Sequence, residues 1–185
     1  MKNVLLYGLS DYEADRIQQI FETHGVAAYI VGDDVLDRKV GELFDISEDF
    51  DGRHVEFDRA FMIVEHLKSE ELRALLKELA ESDAAFHGAI LFATEKNRTY
   101  SLRQLFHMCD KELEYSLKRI RLQQLIESCN GVNITDLPPS EKAEFKRSLR
   151  EAILTVKSKK EDLVKLNRVI EDLEKASKGL TKLYN

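Results

Sequence analysis

Four short apolar runs, separated by helix-period sequence, constrain this chain more than any other feature. Val4-Leu5-Leu6-Tyr7 stops at Gly8, and Val26 to Val31 stops at Gly32. Phe61-Met62-Ile63-Val64 and Gly88 to Phe92 follow. Runs of this length, bounded by turn residues, read as buried strands. The first is followed by Ser10-Asp11-Tyr12-Glu13, which fits a capping box, with Ala14, Ile17 and Phe21 at helical spacing and His24-Gly25 as the stop. Asp34 to Phe44 reads as a short helix and residues 45–58 as a long acidic loop. Ser69 is expected to cap a helix whose apolar face is Leu72, Leu75, Leu76 and Leu79. Thr94-Glu95-Lys96-Asn97-Arg98 reads as a polar turn after the fourth strand.

The pattern repeats. Glu13, Ile17 and Phe21 superpose on Glu71, Leu75 and Leu79 at an offset of 58 residues. Val40, Leu43 and Phe44 superpose on Leu102, Leu105 and Phe106 at an offset of 62. Each copy reads strand–helix–strand–helix. The expected fold is therefore α/β: a small, mostly parallel four-stranded sheet built from two βαβα repeats, with helices on both faces. A ferredoxin-like α+β head is the alternative if residues 34–44 do not cross over.

Composition changes near residue 100. Residues 1–99 hold 11 Lys+Arg against 21 Asp+Glu, a net of -10, whereas residues 100–185 hold 17 against 13, a net of +4. The whole-chain value of -6 describes neither part. Two regions are expected: an acidic α/β domain over 1–99 and a helical region over 100–185. In the second, Leu102, Phe106, Cys109, Leu113, Leu117 and Ile120 form one stripe from about Ser101 to Cys129, and Asn130-Gly131 ends that helix. Asp136-Leu137-Pro138-Pro139 starts another. Beyond it the apolar spacing becomes heptad-like, with Leu149, Val156, Leu163 and Ile170 at one position. Phe145, Ala152, Leu166, Leu173 and Leu180 occupy the other. Ser158-Lys159-Lys160-Glu161 fits a capping box, but the heptad phase runs through it, so a continuous helix is expected. At 1.5 Å per residue the two helices would be roughly 43 and 65 Å long. An antiparallel hairpin would leave Leu173, Leu180 and Leu183 needing a partner.

Several chemistries are excluded or thinly supported. No two glycines are spaced Gly-x-Gly, so the Gly8-Leu9-Ser10 turn is neither a dinucleotide fingerprint nor a P-loop. Ser47, Asp49, Asp51, Gly52 and Asp58 brush against a calcium-loop pattern, with His54 at its usually apolar place. A solvated acidic loop explains them as well. The five His are scattered, and His107 and Cys109 diverge on a helix. Cys109 and Cys129 lie about 30 Å apart along one helix, too far to bridge. Carboxylate pairs such as Asp33-Asp34 and Glu70-Glu71 fit a solvated acidic surface. No catalytic residue, metal ligand or cofactor is assigned. Met1-Lys2-Asn3 runs straight into the first strand, no stretch is long enough to span a membrane, and the two Cys fit a reducing compartment; a cytoplasmic location is expected.

The helical region carries the more informative charges. Lys118, Arg119 and Arg121 lie about as far before the turn as Lys146, Arg147 and Arg150 lie beyond it, so a hairpin is expected to bring the six to one level. Such a patch suits RNA, an acidic protein surface or the chain's own acidic head, without base stacking or DNA specificity, since no aromatics interleave it; a solvated helix face paired with Glu114, Glu144 and Glu151 explains it as well.

Two resemblances bear on the acidic half. Residues 3–115 resemble a small α/β family of Firmicutes described only as a domain of unknown function. The resemblance rests on Val4-Leu5-Leu6-Tyr7-Gly8-Leu9-Ser10-Asp11, on Glu70-Glu71-Leu72 with Leu75-Leu76, and on Gly88 to Thr94 with Asn97, Tyr100, Ser101, Leu102 and Leu105. It implies a fold and no activity. The strand order also looks like a receiver domain's. But Leu6, Tyr7 and Gly8 stand where a receiver has acidic residues, and Glu65 replaces the phosphoacceptor.

The expected function is a non-enzymatic interaction module. It would pair with a protein partner or a second copy through the helical seam of Leu149, Val156, Leu163, Leu166, Ile170, Leu173 and Leu180. The alternatives are an RNA- or ribosome-associated protein using the six basic residues, and a pseudo-receiver or ligand-binding domain with its site near Gly8, Gly32, Glu65 and Thr94.

Overall fold

The structure is a computed structural model and describes residues 3–46, 50, 52 and 56–181. Ser47, Asp49, Asp51 and His54 of the acidic-loop pattern, and Leu183, lie outside the described residues. The chain runs β1 (Asn3–Tyr7), α1 (Asp11–Thr23), β2 (Ala27–Ile30), α2 (Val40–Asp45), β3 (Phe61–Glu65), α3 (Ser69–Glu81), β4 (Ala89–Phe92), α4 (Leu102–Ser128), α5 (Pro139–Lys157) and α6 (Leu163–Thr181). Short 3-10 turns at Asp33–Val35 and Asn97–Thr99 precede α2 and α4. The chain divides into two units, Met1–Cys109 and Asp110–Asn185. The division falls ten residues beyond the compositional shift, because Leu102, Leu105 and Phe106 at the start of α4 belong to the core of the first unit.

The first unit is the expected α/β head. Its sheet has the order β2-β1-β3-β4. β1 pairs parallel with β2 and β3 parallel with β4, while β1 and β3 pair antiparallel. The sheet is thus mostly parallel, with its one antiparallel seam at the centre, and the ferredoxin-like alternative is not adopted. β1 and β3 are buried at every position because both faces are covered. Val4, Leu6, Met62 and Val64 pack with α1 and α3 on one face. Leu5, Tyr7, Phe61 and Ile63 pack with α2 and the start of α4 on the other. There the Phe61 and Phe106 rings stack at 3.9 Å between centroids.

The two βαβα copies are related by a local two-fold axis. Leu5 lies opposite Ile63, which is its own counterpart at the offset of 58. Lys39 bridges Ser101, its counterpart at the offset of 62. Around that bridge the hydrogen bonds are reciprocal: the Val40 amide donates to the Tyr100 carbonyl at 3.0 Å and the Leu102 amide to the Arg38 carbonyl at 3.2 Å. Helix ends match as well. The Val26 amide donates to Phe21 and the Ala84 amide to Leu79, each at 3.0 Å, after a left-handed residue, Gly25 in one copy and Asp83 in the other. At the starts, Ser10 forms the full capping box with Glu13. In the second copy Lys68, not Ser69, is the residue before α3, and its amide donates to Glu71 at 3.0 Å. Ser69 is the first helical residue, so it is not the cap expected from sequence.

The second unit differs from the expected hairpin. The long final helix is broken: α5 ends at Lys157, Ser158 is extended, and α6 starts at Leu163. The cap of α6 is Asp162, whose carboxylate accepts from the Lys165 amide at 2.9 Å; the Ser158 hydroxyl accepts from Lys160 instead. With five residues between them, α5 and α6 fold back on each other, and Arg168 pairs with Glu151 across the gap at 2.7 Å. Three helices therefore enclose one core of Tyr115 and Leu122 from α4, Phe145 and Ala152 from α5, and Leu166, Val169, Ile170 and Leu173 from α6.

The left-handed pair offers a clean test of backbone strain. A Cβ on Gly25 would touch nothing within 4 Å, so Gly25→Ala pays only for its φ of +71°. We expect it to lower unfolding stability by about 1 kcal/mol in urea titrations, and Asp83→Gly to raise it by about 0.5–1 kcal/mol.

Candidate interaction surface

The antiparallel seam decides what the strand ends can do. β1 and β2 end at Gly8 and Gly32 on one side of the sheet, and β3 and β4 end at Glu65 and Thr94 on the other. The four positions do not converge, so the single strand-end site expected from sequence is two separate places. The seam also departs from the all-parallel sheet of a receiver domain.

Both places are tightly bonded. At the first, the Tyr7 hydroxyl donates to Asp33 Oδ1 at 2.5 Å and accepts from the Glu56 and Phe57 amides at 2.9 and 3.3 Å. Burial, then the bond to Asp33, pushes the Tyr7 phenol up to about 12. Arg103 clasps Asp37 at 2.8 Å and also Glu56, and this holds the Asp37 carboxyl below its ordinary range. At the second place Glu65 is only 5% exposed and pairs with Arg98. Arg98 in turn holds both carboxylate oxygens of Asp45 at 3.1 Å. Gly41 lies over Arg98, where a Cβ would come within 3.3 Å of its side chain. These are clamps that tie loops and helices to the sheet, with their polar groups already matched.

In the helical unit the seam residues face inward. Leu166, Ile170, Leu173 and Leu180 are buried, and Leu149, Val156 and Leu163 are partly buried against the same core. They pair helices within the chain. The basic residues do not meet at one level. Arg119 donates to the Val156 carbonyl at 2.8 Å, so this part of α4 faces the last turn of α5. Lys146, Arg147 and Arg150 lie six to ten residues earlier on α5, about 9–15 Å along its axis. Lys118 pairs with Glu114 at 2.8 Å and Arg121 with Glu174 at 2.5 Å. Lys146, Arg147 and Arg150 are exposed and carry no ion pair among the described residues.

The stripe read along α4 splits in two. Leu102 and Phe106 are buried in the head, but Leu117 and Ile120 are 58% and 52% exposed. They lie on the side of α4 opposite Tyr115 and Leu122, which face the helical core. Leu113, half-buried, continues the outward line. Sequence periodicity found these residues but not their direction, because α4 carries two apolar faces and only one is needed inside.

No group of three or more metal-ligating side chains occurs among the described residues, and no helix among them is long and apolar enough to cross a membrane. Cys129 is buried, which pushes its thiol up and leaves it a packing residue. Compared with protein-family models, curated proteins and solved structures, the chain matches none.

The Tyr7 clamp sets an alkaline signature. Its phenol ionises near 10 in the unfolded chain and near 12 in the folded one, so its contribution is complete below pH 10 and fades as pH rises towards 12. Tyr7→Phe leaves the Phe57 amide without its acceptor and is expected to cost about 1–3 kcal/mol at pH 7. Circular-dichroism melts should show the native chain losing stability between pH 10 and 12 more steeply than the variant.

Proposed function

We propose that the chain is a protein-interaction module that receives an amphipathic helix on the outward face of α4. The observation that carries this is the line of exposed Leu117 and Ile120, continued by half-buried Leu113, on a helix whose other face already supplies the core. A packed core does not need those side chains, and in water two exposed aliphatic residues one turn apart favour a covering partner. The seam expected to serve this role is occupied within the chain, which moves the contact from α5 and α6 to α4. The partner is a protein helix, from a second copy or another chain, and the module works without chemistry of its own.

A second reading rests on Lys146, Arg147 and Arg150. They share one side of α5 and carry no ion pair among the described residues, which suits a polyanion such as RNA. It uses half of the basic set read from the sequence.

The first reading is tested by Leu117→Asp with Ile120→Asp, which should leave the melting midpoint unchanged. Tagged native and doubly substituted chains are recovered from the source cells, and the bound proteins are identified by mass spectrometry, with light scattering to detect self-association. Loss of one bound protein, or of a dimer, in the variant supports the reading; identical recoveries and masses refute it. For the second reading, filter binding of single-stranded RNA across a salt series should fall steeply with salt and disappear on charge reversal of Lys146, Arg147 and Arg150.

A further inference from the structure

The two copies of the repeat differ in length at one place. Counterparts are 58 residues apart as far as Val26 and Ala84, and 62 apart from Ala27 and Ala89 onward. The extra four residues are Ala85, Phe86, His87 and Gly88, between α3 and β4. All four line a cavity of about 330 Å³. Its floor is Gly8 and Ala60 at the ends of β1 and β3, and its far wall is Leu9, just before α1, with Glu13 and Ile17 from α1. The volume lies within the range of about 300–1,000 Å³ that holds small ligands.

Two glycines keep the floor low. A Cβ on Gly8 would come within 3.0 Å of the Arg59 carbonyl oxygen, on a residue that already needs φ of +73°. A Cβ on Gly88 would collide with the Ala60 carbonyl and the Phe86 ring. At the counterpart of Gly8 the chain carries His66, which adopts the same left-handed backbone at φ of 55°. The glycine is therefore not demanded by the turn alone; a side chain there would also crowd the backbone of Arg59 and Ala60.

The lining mixes apolar walls with unequal charge. Leu9, Ile17, Ala84, Ala85 and Phe86 give the apolar surface. Glu13 and Asp58 bring two carboxylates, and Glu13 is held in its ionised form, below its ordinary range, first by the Ser10 hydroxyl and backbone and then by nearby His87. Arg59 supplies one cation, and it already has an interaction partner. Glu13, Asp58 and Arg59 together carry one net negative charge, within a region that is itself strongly acidic. The acidic first turn of α1, Asp11 and Glu13, opposes an anion at that helix end.

We propose that this cavity binds a small organic ammonium ion carrying an apolar or aromatic body. The ammonium group sits between Glu13 and Asp58, and the apolar body lies against Phe86, Leu9 and Ile17. The Phe86 ring adds its π-face to the attraction. The site is independent of the α4 surface, and either assignment stands if the other fails.

The probe is phenethylamine, with 2-phenylethanol and phenylacetate as neutral and anionic comparators, titrated into the full ¹⁵N-labelled chain. The expected result is saturable amide shifts at Gly8, Glu13 and Phe86 to Gly88 with phenethylamine, at least about tenfold weaker with either comparator. Asp58→Asn, at an exposed position, and Ala85→Leu, which fills the cavity, should each weaken binding about fivefold or more while the spectrum keeps its dispersion. No saturable shift with phenethylamine, an equal response to phenylacetate, or unchanged binding in both variants overturns the proposal.

Discussion

The antiparallel pairing of β1 with β3 is the constraint on which the rest of the head depends. Each βαβ unit alone is a parallel pair with an apolar face on both sides, too small to bury either. Joining two such units edge to edge doubles the sheet and covers both faces. Because Leu5 pairs with its own counterpart Ile63, the join is a two-fold one, and the strands and helices of one copy recur inverted in the other. The helix starts at Lys39 and Ser101 meet at that axis and exchange hydrogen bonds. The same inversion sends the strand ends to opposite sides, so a single crevice of the doubly wound kind cannot form.

The helical unit is governed by a different economy of surface. A 65 Å helix paired with a 43 Å one would leave a third of its apolar seam in water. The break after Lys157 removes that mismatch: α6 turns back and lays Leu166, Ile170 and Leu173 on the residues α5 and α4 leave uncovered. The interruption costs a few backbone hydrogen bonds, and these are recovered by Asp162, by Ser158 and by Arg119 on the Val156 carbonyl. A seam that reads as a docking surface in one dimension is an internal core in three.

Most of the secondary structure was legible because it is written in local periodicity: the four strands, the Ser10 capping box, the long α4 and the α/β class all follow from spacing. The antiparallel direction of the central β1–β3 pair was not, since a buried strand shows the same run of apolar residues whichever way its neighbour points. The helix break was masked by a coincidence. Five linker residues between α5 and α6 leave Leu163 and Ile170 in heptad phase with Leu149 and Val156, so periodicity alone cannot tell a continuous helix from a hairpin. The capping box at Ser158 marked the region of the break, but the cap of α6 is Asp162, four residues further on. The expectation that six basic residues share a level failed for a related reason. It assumed a symmetric turn, whereas the Arg119 contact shows α5 extending past α4 by about two turns.

The change of offset from 58 to 62 was visible in the sequence as well, and it has the most to say about function. Where two copies of one unit must both fold, their shared features are those that folding requires: the left-handed residues after each first helix, the acid that holds each helix start, the apolar residues at the axis. Features held by one copy alone are free of that demand. Tyr7 with Asp33 and Glu65 with Arg98 occupy equivalent strand ends and do the same tying in different chemistry, so their difference reads as structural drift. The four residues Ala85 to Gly88 have no counterpart. The helix turn they follow is already complete without them, since the Ala84 amide closes α3 as the Val26 amide closes α1. What they add is a wall, an aromatic ring and a histidine beside a glycine floor, and a fold that needed only its core would have no use for the space they enclose.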